Sequence, residues 1–185
     1  MLRGINVSGQ KKIKMDDLRH LYEEQGFDDV VTYIQSGNVI FKSRIKKPAS
    51  LKLKIEHAIE EKYNFHVNVI IRTADELQNV IDKNPSGKID LEKDGRKYSV
   101  TFLSSIPRAD KISELHKFVT KPDQLIVRDK EVYLFIPNGY GKSKLSNNFI
   151  ERKLGVEATT RNWKTVVKLS ELARNIYENV IRKNS

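Results

Sequence analysis

The segment from Asn138 to Lys144 combines two glycines with two lysines between a β-rich run and a helical pattern. Glycine permits φ > 0 and a close approach of a ligand to the backbone, and a helix starting near Leu145 would add N–H groups with partial positive charge. This composition is typical of an anion-binding turn, and also of a strand-to-helix turn that uses glycine only for its geometry. The candidate anion ligands are Gly139, Gly141, Lys142, Ser143 and Lys144.

The spacing argues against a P-loop. The motif G-x-x-x-x-G-K-S would need glycine at position 136, where the chain has Ile136, followed by Pro137. We therefore do not expect nucleotide hydrolysis by that mechanism.

A second candidate group is Arg161-Asn162-Trp163, at the end of a later strand. One interpretation has Arg161 binding phosphate or carboxylate, Asn162 reading a ligand edge and Trp163 stacking on a ring. The other has Asn162 capping the last helix, Trp163 filling the core and Arg161 exposed to solvent. The sequence leaves both open.

The first half of the chain offers a similar set of polar and cationic residues. If its first two strands end together, the segment 3–14 lies beside residues 35–38. The candidates there are Arg3, Asn6, Lys11, Ser36 and Asn38.

The charge balance favours an anionic partner. The formal net charge is +10, and residues 139–168 hold seven Lys or Arg against two Glu. Such an excess favours phosphate-bearing ligands, although a basic surface with no ligand would look the same.

Composition also narrows the chemistry. The chain has no cysteine, and its four histidines have no partner at metal-binding spacing, so we expect no metal, no cofactor and a cytoplasmic location. No apolar run approaches the roughly 20 residues of a membrane span. Oligomeric state is left open.

The order of elements predicts an α+β fold of two tandem ferredoxin-like βαββαβ halves, each followed by an extra helix. We assign residues 1–84 to the first half, 85–96 to a linker and 97–185 to the second half. The predicted strands and helices include strands at Leu2–Val7 and His66–Arg72, a helix capped by Asp16, helices opened by Pro48 and Pro107, a helix over 145–154 and a strand from Val156 to Thr160.

In this layout the strand order is 4-1-3-2, and the third and fourth strands run parallel with the first between them. Their C-terminal ends then share one edge, about 10 Å apart. In the second half these ends carry the glycine segment and Arg161. The RNA-recognition motif shares the element order, but its third-strand signature is absent from residues 36–41 and 131–136.

Several segments together resemble the bacterial family known as domain of unknown function 1697. They are Leu2-Arg-Gly-Ile-Asn-Val7, Lys14-Met15 with Asp17-Leu18-Arg19, Tyr33-Ile-Gln-Ser-Gly-Asn-Val39, Gly139-Tyr-Gly-Lys-Ser-Lys-Leu145 and Ala158-Thr-Thr-Arg-Asn-Trp163. The resemblance implies an intracellular protein of two ferredoxin-like halves and brings no established activity or catalytic residue.

Three functions remain open at this level. The first is a module that binds a phosphate-containing or other anionic ligand. This ligand would be an anionic small molecule, such as a nucleotide, or it would be a nucleic acid. The second is an enzyme acting on an anionic small molecule, with the glycine segment cradling the anion. The third is an interaction scaffold with no ligand.

Overall fold

The chain folds into a mixed α+β structure. The computed structural model describes residues 1–7 and 9–183, with side chains as far as Ile176. Within these residues it contains two small sheets and six helices. The elements are α1 (Met15–Glu24), β1 (Asp28–Tyr33), β2 (Asn38–Lys42), α2 (Pro48–Tyr63), α3 (Ala74–Asp82), β3 (Tyr98–Leu103), α4 (Ala109–His116), β4 (Gln124–Arg128), β5 (Glu131–Phe135), α5 (Asn147–Leu154), β6 (Ala158–Asn162) and α6 (Trp163–Lys183).

These elements belong to two compact units. The first unit comprises residues 1–74 together with the chain from Leu169 onward, and the second comprises residues 75–168. Helix α6 therefore begins in the second unit and continues in the first. None of the helices described is both long and apolar enough to cross a bilayer.

The second unit contains a four-stranded sheet in the order β4-β5-β3-β6, with every neighbouring pair antiparallel. This is the strand order predicted for the second half. Strand β3 lies between β5 and β6, so those two strands run in the same direction. Phe135 at the end of β5 pairs with Tyr98, and Asn162 at the end of β6 pairs with Ser99. The predicted meeting of these two C-terminal ends at one sheet edge is confirmed.

The two faces of this sheet are filled by alternating residues. One face contributes Leu103, Val132 and Leu134 to a core that includes Leu115 of α4 and Ile150 of α5. On the other face Tyr133 is buried and its hydroxyl donates to the carbonyl of Val80 in α3, at 3.1 Å. Burial raises the pKa of Tyr133 to about 12, as expected for a phenol held away from water.

The first unit is built on the antiparallel hairpin of β1 and β2, as predicted from the turn residues between them. Helices α1 and α2 bury Leu18, Tyr22, Ile55 and Ile59 in its core. The ring of Tyr22 packs edge-on against that of Phe41, with centroids 5.3 Å apart.

The predicted strands at Leu2–Val7 and His66–Arg72 are wrong as full strands. They are reduced to one antiparallel bridge between Leu2 and Val69. For Leu2–Val7 the reason is local, because Gly4 and Asn6 adopt φ of 66° and 55° and turn the chain away from an extended path.

Several helix starts also differ from the predictions. Helix α1 is capped at Lys14 without a side-chain bond, and Asp16 lies in its first turn. Helix α4 starts at Ala109, after Pro107. Helix α5 starts at Asn147, because the Ser146 hydroxyl accepts from the N–H of Phe149 at 3.3 Å and fixes the N-cap there. Strand β6 lies two residues later than predicted.

Gly37 is the glycine with the tightest surroundings in the first unit. Its φ is 72°, and an added Cβ would lie 2.6 Å from Ile5 Cδ1 and 2.8 Å from Leu2 Cβ. We expect Gly37→Ala to lower the free energy of unfolding by about 3 kcal/mol, combining left-handed strain with overpacking. Urea denaturation followed by circular dichroism measures this.

Gly26→Ala is the matched control. Gly26 has a similar φ of 78° with nothing within 4 Å of the added Cβ, so only the conformational cost of about 1 kcal/mol applies. Equal losses in the two variants would show that the contact with Ile5 and Leu2 does not matter.

Candidate functional site

The glycine segment after β5 only partly follows the prediction. Gly139 has φ of 81°, as expected, with open space around it. Gly141 is not left-handed, because it lies in a 3-10 turn spanning Tyr140–Lys142. Of the two glycines, only Gly139 uses the left-handed conformation that glycine permits.

The segment does not lead directly into α5. Within the 3-10 turn, the N–H of Lys142 donates to the carbonyl of Gly139 at 3.1 Å, and the N–H of Ser143 donates to that of Tyr140 at 3.2 Å. These donors are used inside the turn, so the predicted junction of glycine backbone and helix start is not formed.

Two hydroxyl groups anchor this segment to the sheet. Ser143 Oγ donates to Asp123 Oδ2, just before β4, at 2.6 Å and accepts from the N–H of Leu145 at 3.1 Å. The Tyr140 hydroxyl hydrogen-bonds with Ser99 Oγ in β3. Burial raises the pKa of Tyr140, so it is a neutral phenol at physiological pH. The two hydrogen bonds of the Ser143 hydroxyl thus give this residue a structural role.

Exposed cations line a shallow depression beside this segment. We call it the basic groove; it has a volume of about 400 Å³ and is lined by Ser143, Lys144, Ser146, Asn148, Phe149 and Arg152. Lys144 and nearby Lys142 are exposed and form no ion pair within the described residues. The lining residues include two cations and no acidic residue, a composition that favours anions.

Sequence reasoning did not name Phe149 and Arg152 as site residues. The Arg152 guanidinium lies over the Phe149 ring, 5.7 Å from its centroid, which is within the range of a cation–π contact. The sequence did contain a signal for this contact, because residues three apart on a helix lie side by side on its surface.

Other basic residues of the region are already engaged. Lys153 Nζ donates to Glu114 at 2.8 Å, and that hydrogen bond lowers the pKa of Glu114. Lys164 Nζ donates to Glu92 at 2.9 Å. These pairs reduce the free positive charge that the composition suggested.

Arg161 is buried, with only 7% of its surface exposed, so the interpretation of a solvated Arg161 is wrong. Its guanidinium donates to Thr159 Oγ1 at 2.8 Å and to the carbonyl of Thr160 at 2.9 Å. Burial lowers its pKa to about 10, which still leaves it charged at neutral pH. A direct anion contact by Arg161 stays a prediction that this burial disfavours.

The two residues after Arg161 have structural roles. Asn162 Oδ1 accepts from the N–H of Thr165 at 2.8 Å, so the predicted cap of the last helix is confirmed. Trp163 is 5% exposed, which confirms its place in the core and leaves little surface for stacking on a ligand.

In the first unit, Asn6 joins two loops. Its side-chain amide donates to the carbonyls of Ile13 and Gln35, both at 2.9 Å, and its Oδ1 accepts from the N–H of Ile13 at 2.9 Å. The structure thus brings the loop containing Asn6 beside the turn at Gln35, as expected from the topology. Asn6 uses its polar atoms to hold the fold.

The other first-unit candidates lie in the same region. Asn38 is fully buried, and its amide donates to the carbonyl of Tyr33 at 3.1 Å and to Ser36 Oγ at 3.0 Å. Lys11 Nζ donates to the carbonyl of His66 at 2.7 Å. The backbone N–H of Arg3 donates to the carbonyl of Asn68 at 3.0 Å.

One comparison with known proteins gives the family of this chain, and another gives a structure of similar fold. A family model described as a protein of unknown function (DUF1697) matches residues 1–133, so the basic groove lies beyond the matched range. A comparison with curated proteins finds no match. Among solved structures, the chain is similar to the conserved bacterial protein SP0830 from Streptococcus pneumoniae, with a TM-score of 0.72 and 23% identity over 94% of this chain and 96% of that one. At this identity the likeness shows the fold alone.

Replacing Arg161 tests whether it supports the fold or a ligand. We expect Arg161→Ala to lower the free energy of unfolding by about 2 kcal/mol or more, because hydrogen bonds from a buried charged donor are lost. Urea unfolding followed by the fluorescence of Trp163, the single tryptophan, measures the change. Unchanged stability would contradict the structural role.

Proposed function

We propose that this chain, which belongs to the DUF1697 family of proteins of unknown function, binds a phosphate-containing or similarly anionic ligand in the basic groove. Lys142, Lys144 and Arg152 supply the positive charge. The ligand would be held mainly by electrostatic attraction, with the anchored segment between β5 and α5 fixing where the cations stand.

One observation carries this proposal. The groove has cationic residues on its lining and none that is acidic, while neighbouring lysines such as Lys153 and Lys164 are paired with glutamates. Charges left exposed and unpaired raise the local concentration of anions. The glycine segment positions the neighbouring lysines and does not itself bind the ligand, because the N–H groups of Lys142 and Ser143 donate to carbonyls of the same turn.

We further infer that both units follow one ferredoxin-like plan. In the second unit the order is β6, β3, β5, β4. In the first unit, the backbone N–H of Arg3 donates to the carbonyl of Asn68 on one side of the N-terminal segment. On the other side, the backbone N–H of Leu2 donates to the carbonyl of Gly37, which precedes β2. The corresponding order would be the segment at Asn68, the N-terminal segment, β2 and β1, which supports an architectural duplication.

Calorimetric titration with long-chain inorganic polyphosphate at several NaCl concentrations tests the binding proposal. We expect affinity to fall steeply as salt rises, because bound phosphates release counterions. The double substitution Lys142→Gln with Lys144→Gln should weaken binding by about tenfold at low salt and make the salt dependence shallower.

The control variant carries Lys88→Gln and Lys93→Gln, which remove the same charge from exposed positions outside the groove. It should bind polyphosphate nearly as well as the unmodified chain. Salt-independent binding, no binding, or equal weakening in both double variants would contradict the proposal.

A further inference from the structure

We propose that the basic groove takes a single-stranded nucleic acid, with Arg152 serving as the platform on which a base stacks. This inference rests on the proposed function and specifies its ligand. It is carried by the placement of the cations along the groove, by the geometry of Arg152 against Phe149 and by the open shape of the site.

Lys144 and Arg152 line the groove at different positions along the chain, and Lys142 lies just before it. Lys144 lies three residues before Asn147, the first residue of α5, whereas Arg152 lies five residues after Asn147, a rise of about 7.5 Å along the helix axis. Lys142 lies two residues before Lys144, in the 3-10 turn. Cations contributed by the turn, the loop and the helix suit a ligand with several phosphates in succession, as in a polynucleotide backbone.

Arg152 is held in a position that favours stacking. Its guanidinium lies over the Phe149 ring, and that ring packs edge-on against Phe118 with centroids 5.2 Å apart. Phe149 is therefore held in place by Phe118, while Arg152 is exposed. A guanidinium is planar and charged, and unpaired bases stack on groups of this kind.

The shape of the groove favours a strand over a free mononucleotide. Sites that hold a small molecule usually enclose most of its surface. Here the lining residues form a shallow depression along the loop and the first turns of α5. A polynucleotide can gain affinity from several successive contacts without being enclosed.

The stacking platform also favours single-stranded over double-stranded ligands. In a duplex the bases are already paired and stacked, so they are not available to Arg152. Backbone contacts from Lys142 and Lys144 alone would not distinguish the two forms, because both carry phosphates.

Fluorescence anisotropy with the full chain and a labelled 12-nucleotide oligouridylate tests the inference. We expect binding at least about tenfold tighter than to uridine 5′-monophosphate or to a duplex of equal length at the same salt concentration. Arg152→Lys keeps the charge but removes the planar group, so it should weaken oligouridylate binding about fivefold or more without changing the salt slope.

Lys88→Arg is a control for a conservative change of a cation outside the groove and should leave the affinity unchanged. Circular dichroism should show that Arg152→Lys is folded. Arg152→Gln should lower both the affinity and the salt slope, since it removes the charge as well as the stacking surface.

The outcomes separate this inference from the proposed function. Polyphosphate binding that depends on Lys142 and Lys144, with equal affinity for duplex and single strand, would overturn the inference and leave the function standing. Oligouridylate binding unchanged by Arg152→Lys would also overturn it. Absence of binding to every polyanion would overturn both.

Discussion

The pairing of β3 on both of its edges is the constraint on which the second unit depends. Because β5 and β6 each run antiparallel to β3, they run parallel to each other and end beside its first residues. The segment after β5 and the start of α6 are thereby brought to one edge of the sheet. Tyr140 and Ser143 then fix that segment to Ser99 and Asp123, so the position of the neighbouring lysines follows from the sheet.

The structure divides the positive charge of this region into distinct roles. Arg161 is inside the unit, where its guanidinium satisfies a threonine hydroxyl and a backbone carbonyl. Lys153 and Lys164 are neutralised by glutamates. The charge that remains available to a ligand is local and small compared with the net charge of +10. The number of basic residues in residues 139–168 therefore overstates the positive charge that a ligand would meet there.

Polar residues that resemble ligand contacts in the sequence can serve the fold instead. The side-chain amides of Asn6 and Asn38 donate to backbone carbonyls, and that of Asn38 also donates to the Ser36 hydroxyl. Asn6 also adopts a left-handed φ, which asparagine tolerates better than most residues. The same hydrogen-bonding capacity suits a ligand site and a tight loop, so residue type and spacing could not separate the two roles.

The sequence by itself determined the hairpins, the helices with clear apolar periodicity such as α2 and α6, and the strand order of the second unit, because these depend on local pattern and chain connectivity. Only the tertiary structure decided that Leu2–Val7 is not a full strand, that Arg161 is buried and that Arg152 lies over Phe149. Each of these depends on the backbone conformation of particular residues or on which face of a strand or helix becomes covered. The burial of Arg161 arises from packing between distant segments, which no local pattern encodes. The other two features are local, but residue type and spacing there are compatible with more than one conformation.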